Sequence, residues 1–132
     1  MTHPIQVVAA IIVKDNLILC TQRNRNTTMG MRWEFPGGKI EANETPEKAL
    51  VREIKEELDC DIKVIKWIAT NTHIYDFGTI ELAGYLCELT NNHIQLNEHE
   101  ALKWLSIEEL NNLDWADADI PLVRGIQNYF KK

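Results

Sequence analysis

Cysteine is scarce in this chain, long apolar runs are missing, and positive charge is in deficit. The three cysteines among 132 residues, Cys20, Cys60 and Cys87, lie far apart, with no CxxC pair and no Cys/His cluster. An odd, dispersed set argues against a disulfide framework or a zinc site and fits a reducing cytoplasm. No apolar stretch reaches the roughly 18 residues of a membrane span, so no membrane partner is expected. The opening residues, Met1-Thr2-His3-Pro4-Ile5-Gln6, lack the basic region and apolar run of a secretory signal. Lys and Arg number 14 against 20 Asp and Glu, a formal charge of −6. Duplex binding draws on clustered cations, so a nucleic-acid polymer is not an expected partner.

What is present describes an ordinary globular chain. Hydrophobic residues make up 45% and charged residues 26%, neither disordered nor fibrous. The length suits one domain spanning 1–132, able to bury more than half of its unfolded surface. Charge is unevenly spread: residues 44–61 carry seven acids against three bases, residues 98–119 seven against one, and residues 1–43 are net +2. Two acidic segments and a basic one holding Arg23, Arg25 and Arg32 can form a divalent-cation site beside a phosphate site. The plainer alternative is solvated faces scattered over a surface.

Val7 to Val13 is a continuous apolar, β-branched-rich run, as expected of a strand buried on both faces. Lys14-Asp15-Asn16 makes a turn into a returning strand from Leu17 to Cys20. Arg23 to Gly30 is loop-like, and Pro36-Gly37-Gly38 is a strong break. The clearest helix follows, with Thr45 as N-cap, Pro46 at the first position and Glu47 in the first turn, continuing to Leu58. Ile62 to Ile68, Thr79 to Leu89 and Leu102 to Leu105 are expected strands. Ser106 with Ile107-Glu108-Glu109-Leu110 reads as a capped short helix, and Asp119 with Pro121 opens a last helix to about Tyr129. Strands and helices mix without strict alternation, predicting an α+β or mixed-sheet α/β sandwich.

The chemistry concentrates in Gly38 to Cys60. With Leu50 set to zero on a helical wheel, Ile54 falls near about +40° and Leu58 near about +80°, an apolar stripe. Glu57, Glu53 and Glu56 fall near about −20°, −60° and −120°, three carboxylates in one sector beside it. Like charges so placed repel unless something neutralises them. A hard divalent cation does so, taking carboxylate oxygens, water and phosphate oxygens. Gly37-Gly38 lets the backbone approach closely enough for a carbonyl to add a ligand. A solvated acidic helix behind a glycine turn is the alternative for such a cluster taken alone.

The stretch resembles the Nudix box, G-x5-E-x7-R-E-U-x-E-E-x-G-U, where U is aliphatic. Gly38, Glu44, Arg52, Glu53, Ile54, Glu56 and Glu57 fill it at the required spacing. Cys60 takes the last aliphatic position, a small hydrophobe in effect. Asp59 stands where the family has glycine, at a helix end that wants a left-handed residue, which Asp tolerates. Trp33-Glu34-Phe35-Pro36-Gly37-Gly38-Lys39 is similar to the lead-in of MutT-like nucleoside triphosphate pyrophosphohydrolases. The segments 98–104 and 118–122 are similar to the bacterial CTP pyrophosphohydrolase branch.

The resemblance implies an α/β/α sandwich around a mixed sheet, and Mg²⁺- or Mn²⁺-dependent cleavage of a nucleoside diphosphate linked to another moiety. It implies the Gly38 carbonyl and the carboxylates of Glu53, Glu56 and Glu57 as metal ligands, with Arg52 orienting a box glutamate and Glu44 supporting the loop–helix junction. Glu98 matches an acid outside the box that acts as ligand or base, with Glu100 an alternative two residues on. Arg23 matches a phosphate-contacting position. Water attack at the β-phosphorus would release NMP and pyrophosphate, and which glutamate acts as base stays open.

Asp119 stands where MutT-type enzymes read oxidised guanine with asparagine. An ionised aspartate only accepts hydrogen bonds and suits an amine such as cytosine N4; a protonated one also donates and suits a purine. It can also cap the last helix. Trp33, Phe35 and Phe77 are candidates to stack on a base or wall the pocket. His73, His93 and His99 show no ligand-like spacing and read as structural or surface. The expected protein is a nucleotide-pool hydrolase acting on oxidised or modified dNTPs such as 8-oxo-dGTP, or on CTP and 5-methyl-dCTP, as monomer or homodimer. A hydrolase of nucleotide sugars or dinucleotides and a non-catalytic nucleotide-binding module are the competing expectations.

Overall fold

A computed structural model describes residues 3–131; Met1 and Thr2, part of the N-terminal reading above, and Lys132 lie outside the described residues. The elements run β1 (Ile5–Lys14), β2 (Leu17–Gln22), β3 (Trp33–Glu34), β4 (Gly37–Lys39), α1 (Pro46–Leu58), β5 (Ile62–Tyr75), β6 (Gly78–Leu89), β7 (Ala101–Leu105), a 3₁₀ turn (Glu108–Asn112) and α2 (Asp119–Phe130). The seven strands form a mixed sheet of order β3-β2-β1-β6-β5, with β4 also on β1 and β7 also on β2. β1 runs parallel to β6, from Ile5 opposite Ile80 to Ile12 opposite Cys87, and the other strand pairings are antiparallel.

The apolar run in β1 has its cause in this arrangement. Val8, Ala10 and Ile12 pack on one side of the sheet with Leu50, Ile54 and Leu58 of α1. Ala9 and Ile11 pack on the other with Leu122, Val123 and Ile126 of α2. Both faces are covered by a helix, so neither alternates with polar residues. The expected α/β/α layering is what the chain adopts.

Local chemistry accounts for most boundaries. Asp15 and Asn16 both take positive φ, 52° and 65°, in the tight turn between β1 and β2. The Thr45 hydroxyl accepts the Lys48 amide at 3.2 Å and Pro46 opens α1. Asp59 closes α1 in the left-handed conformation, φ 51° and ψ 38°.

Three features depart from expectation. β5 continues past Ile68 to Tyr75 because its far half is a one-faced hairpin arm: Asn71, His73 and Tyr75 are half-buried while Thr70, Thr72 and Ile74 are exposed. Such polar alternation resembles a loop until β6 supplies its partner. The expected break at Gly37-Gly38 is strand β4, with Ala9 opposite Gly37 and Val8 opposite Gly38. Asp119 does not cap α2: the cap position is Ala118, whose own side chain makes no capping bond. Its carboxyl is turned inward instead. Among the described residues no helix is long and apolar enough to cross a membrane.

Candidate active site

β4 sets the inner edge of the site. The Gly37 amide donates to Glu57 Oε1 at 3.2 Å, joining strand and helix. A Cβ on Gly37 would run into the Val8 carbonyl oxygen, and one on Gly38 into the Glu53 carboxylate. Both positions are glycine because backbone and carboxylates fill the space a side chain would occupy.

The wheel geometry holds in three dimensions. Ala49, Leu50, Ile54 and Leu58 are buried, Glu53 and Glu57 are half-buried beside them, and Glu56 is exposed. Arg52 gathers the outer acids. Its Nε and Nη2 reach the Glu44 carboxylate at 2.7 and 2.9 Å, and Nη2 also donates to the Lys39 carbonyl at 3.1 Å. Nη1 lies 3.5 Å from both Glu53 and Glu56. The two-pronged bond to Arg52 lowers the Glu44 pKa to about 2.

The C-terminus of α1 brings in the remote acid. Helix-end carbonyls need outside donors, and the loop before β7 provides them. The Asn97 side chain donates to the Glu56 carbonyl at 2.9 Å, the Asn97 amide to Glu57 at 3.0 Å and the Gln95 amide to Leu58 at 2.8 Å. This cap holds the next residue, Glu98, at the box. Burial pushes the Glu57 carboxyl up to about 9, with the charges of Glu34, Glu53 and Glu98 adding to it. Burial also raises Glu53, opposed by Arg52 and reinforced by Glu56 and Glu98. Glu100 turns away to Arg25, at 3.4 Å, which separates it from Glu98.

Glu34 joins this group and was not anticipated as a site residue. Its Oε1 lies 2.7 Å from Arg23 Nη1 and its Oε2 2.9 Å from His99 Nε2. Burial would raise its pKa, but the bonds and charges of His99 and Arg23 outweigh burial and hold it low. The His99 side chain is only 4% exposed, and among the described residues its buried Nδ1 has no partner. A lone acid between Trp33 and Phe35 was the available signal, since an acid in apolar surroundings needs partners.

A cavity of about 220 Å³ opens against these groups, lined by Gly38 and Glu57 together with Phe35, Tyr75 and Asp119. Arg23 lines it too. Phe35 stacks on Trp115, centroids 4.6 Å apart, and its amide donates to Asp119 Oδ2 at 3.1 Å. Asp119 is buried; loss of water pushes its carboxyl well above the usual aspartate range, and the Glu34 charge adds to this. Trp33 and Phe77 do not line the cavity. Trp33 is buried beneath the Lys103 ammonium, and Phe77 is exposed and stacks on Tyr75. His73 packs on Tyr75, and His93 bonds Asp59 at 3.1 Å.

The donor set suits a hard divalent cation: half-buried carboxylate oxygens that repel one another, beside a glycine strand with no side chain in the way. Among the described residues no three such side chains already converge as a formed metal cluster. Arg52 supplies the countercharge to Glu53 and Glu56.

The NUDIX domain model matches residues 3–125. The chain therefore belongs to the Nudix family, whose hydrolases generally use a divalent metal, and it is a hydrolase of that family. It is 40% identical over 121 residues to the CTP pyrophosphohydrolase of Escherichia coli, covering 92% of this chain and 90% of that protein. It is 32% identical over 124 residues to the 8-oxo-dGTP diphosphatase of the same organism, covering 93% and 96%. A solved structure described as the DNA mismatch repair protein MutT of methicillin-resistant Staphylococcus aureus 252 is 49% identical, with a TM-score of 0.78 and coverage of 97% and 98%.

Proposed function

We propose that this chain is a cytoplasmic, Mg²⁺-dependent nucleoside triphosphate pyrophosphohydrolase, with Mn²⁺ as an alternative ion, that converts its substrate to NMP and pyrophosphate. The observation that carries this is one cavity bordered by the box residues Gly38 and Glu57 and by the buried Asp119. Glu53, Glu56, Glu57 and the Gly38 carbonyl would hold the cation. When bound, it supplies neutralisation of phosphate charge and a more acidic water. Arg52 orients Glu53 and Glu56, Arg23 meets the phosphates, and Glu98 stands beside the carboxylates as further ligand or base. Phe35 walls the base end. The two ends hold phosphate and base in one orientation, which is itself a large part of such catalysis.

Base choice turns on Asp119. A carboxyl kept protonated by burial both donates and accepts, as an amide does, and this favours an oxidised purine nucleotide such as 8-oxo-dGTP. Cytidine nucleotides are the second reading, favoured by the 40% identity to a CTP pyrophosphohydrolase. The test is hydrolysis of CTP, dCTP, 5-methyl-dCTP, dGTP, 8-oxo-dGTP, ADP-ribose and a dinucleoside polyphosphate with Mg²⁺, products identified. NMP and pyrophosphate from the triphosphates, 8-oxo-dGTP fastest, is the expected result. Preferential cleavage of ADP-ribose or the dinucleotide overturns the triphosphate assignment, and tight binding without cleavage overturns the enzyme.

A further inference from the structure

Ala118, the residue just ahead of Asp119, is held at both its amide and its carbonyl by side chains of one strand. Tyr75 Oη accepts the Ala118 amide hydrogen at 2.9 Å. Asn71 Nδ2 donates to the Ala118 carbonyl, also at 2.9 Å. Both side chains come from the far half of β5, four residues apart and so on one face of the strand. Among the described residues no side chain caps the start of α2, and these two bonds, together with the Asp119 carboxyl on the Phe35 amide, hold its entry.

Stability alone does not account for the pair. Among the described residues Asn71 Oδ1 is buried without a partner, and an orphaned buried carbonyl oxygen costs more than an apolar group of similar shape would. The reverse amide orientation would set Oδ1 against the Ala118 carbonyl, so the arrangement is specified by that one bond. Tyr75 serves twice, because it also lines the cavity shared by Phe35 and Asp119. The Phe77 ring lies nearly parallel to it at 5.1 Å and the His73 ring packs at 4.5 Å, so neighbours on the same hairpin hold its orientation.

We infer that Asn71 and Tyr75 are positioning residues for base selection, clamping the backbone on either side of the Ala118 Cα so that the Asp119 carboxyl meets the nucleobase at a fixed angle; this presupposes Asp119 as the base reader proposed above. The hairpin then sets which hydrogen-bond edge the cavity accepts, without touching the phosphates. A released clamp lets the N-terminus of α2 shift and blurs discrimination between bases, while the carboxylate cluster on α1 is untouched.

Tyr75→Phe and Asn71→Leu each remove one half of the clamp with little change in volume, and Asn71→Ala is the milder substitute should the leucine prevent folding. The measurement is KM and kcat for CTP and for 8-oxo-dGTP, with calorimetric binding of CMP and 8-oxo-dGMP alongside. The expected result is a shift of about five- to ten-fold in the ratio of the two substrates' kcat/KM, carried in KM. The monophosphate affinities should shift in the same sense. A residue that merely stabilises the fold would lower all nucleotides together. Wild-type ratios in the folded variants therefore overturn the clamp while leaving the hydrolase standing. A wild-type protein that neither cleaves nor binds any of these nucleotides overturns the proposed function and the clamp together.

Discussion

The Gly37 amide donates to Glu57 Oε1 at 3.2 Å, and this one bond anchors a carboxylate that Glu34, Glu53 and Glu98 all repel. Without a cation the charged form of Glu57 is disfavoured, with burial as the main cause. A carboxyl whose pKa rises on folding binds its proton more tightly in the folded state. Stability therefore falls as pH rises from the ordinary glutamate range, about 4.5, towards about 9. Thermal melts in chelator should show that decline, Mg²⁺ should reverse it, and Glu57→Gln should flatten it. The same substitution should cut turnover at least about 100-fold. Undiminished turnover would remove Glu57 from the site.

The adjacent glycines should fail in different ways. An alanine Cβ at Gly37 meets the Val8 backbone, which cannot yield cheaply, so Gly37→Ala should cost about 1–3 kcal/mol of stability. At Gly38 the Cβ meets the mobile end of Glu53. Gly38→Ala should keep most of its stability and lose turnover with weakened Mg²⁺ dependence. Melting curves and metal titrations on both variants distinguish the two effects.

Asp119→Asn preserves the oxygen that accepts the Phe35 amide and removes the titrating proton. In the wild type, preference for 8-oxo-dGTP over CTP should decline as pH rises and the carboxyl ionises. In Asp119→Asn that ratio should hardly vary with pH. Parallel pH dependence in both proteins would detach base choice from Asp119.

Asn97 holds the loop that delivers Glu98 by bonding the Glu56 carbonyl at 2.9 Å. Asn97→Ala should cost about 1 kcal/mol and lower kcat more than it alters KM. A change confined to KM would mean that Glu98 is placed by other contacts.

Much of this was legible beforehand because it depends on short-range order. Helical spacing alone put Glu53, Glu56 and Glu57 in one sector beside Leu50, Ile54 and Leu58, and the caps at Thr45 and Asp59 are written in their neighbours. The far half of β5 was not legible, since Thr70, Asn71 and Thr72 have no strand pattern until β6 pairs with them. Trp33 and Phe77 illustrate the same limit: an aromatic ring's type does not say whether it faces core, cavity or solvent.

The sequence by itself determined the family, the helix with its carboxylate sector and the double-sided central strand, because residue spacing and composition carry all three. Only the tertiary structure decided that Glu98 rather than Glu100 joins the cluster, that Glu34 pairs with Arg23 and His99, and that Asp119 turns inward to Phe35 instead of capping α2. Those outcomes depend on burial and on charges brought together from distant segments. Desolvation and Coulomb energy depend on distance in space, which separation along the chain does not report.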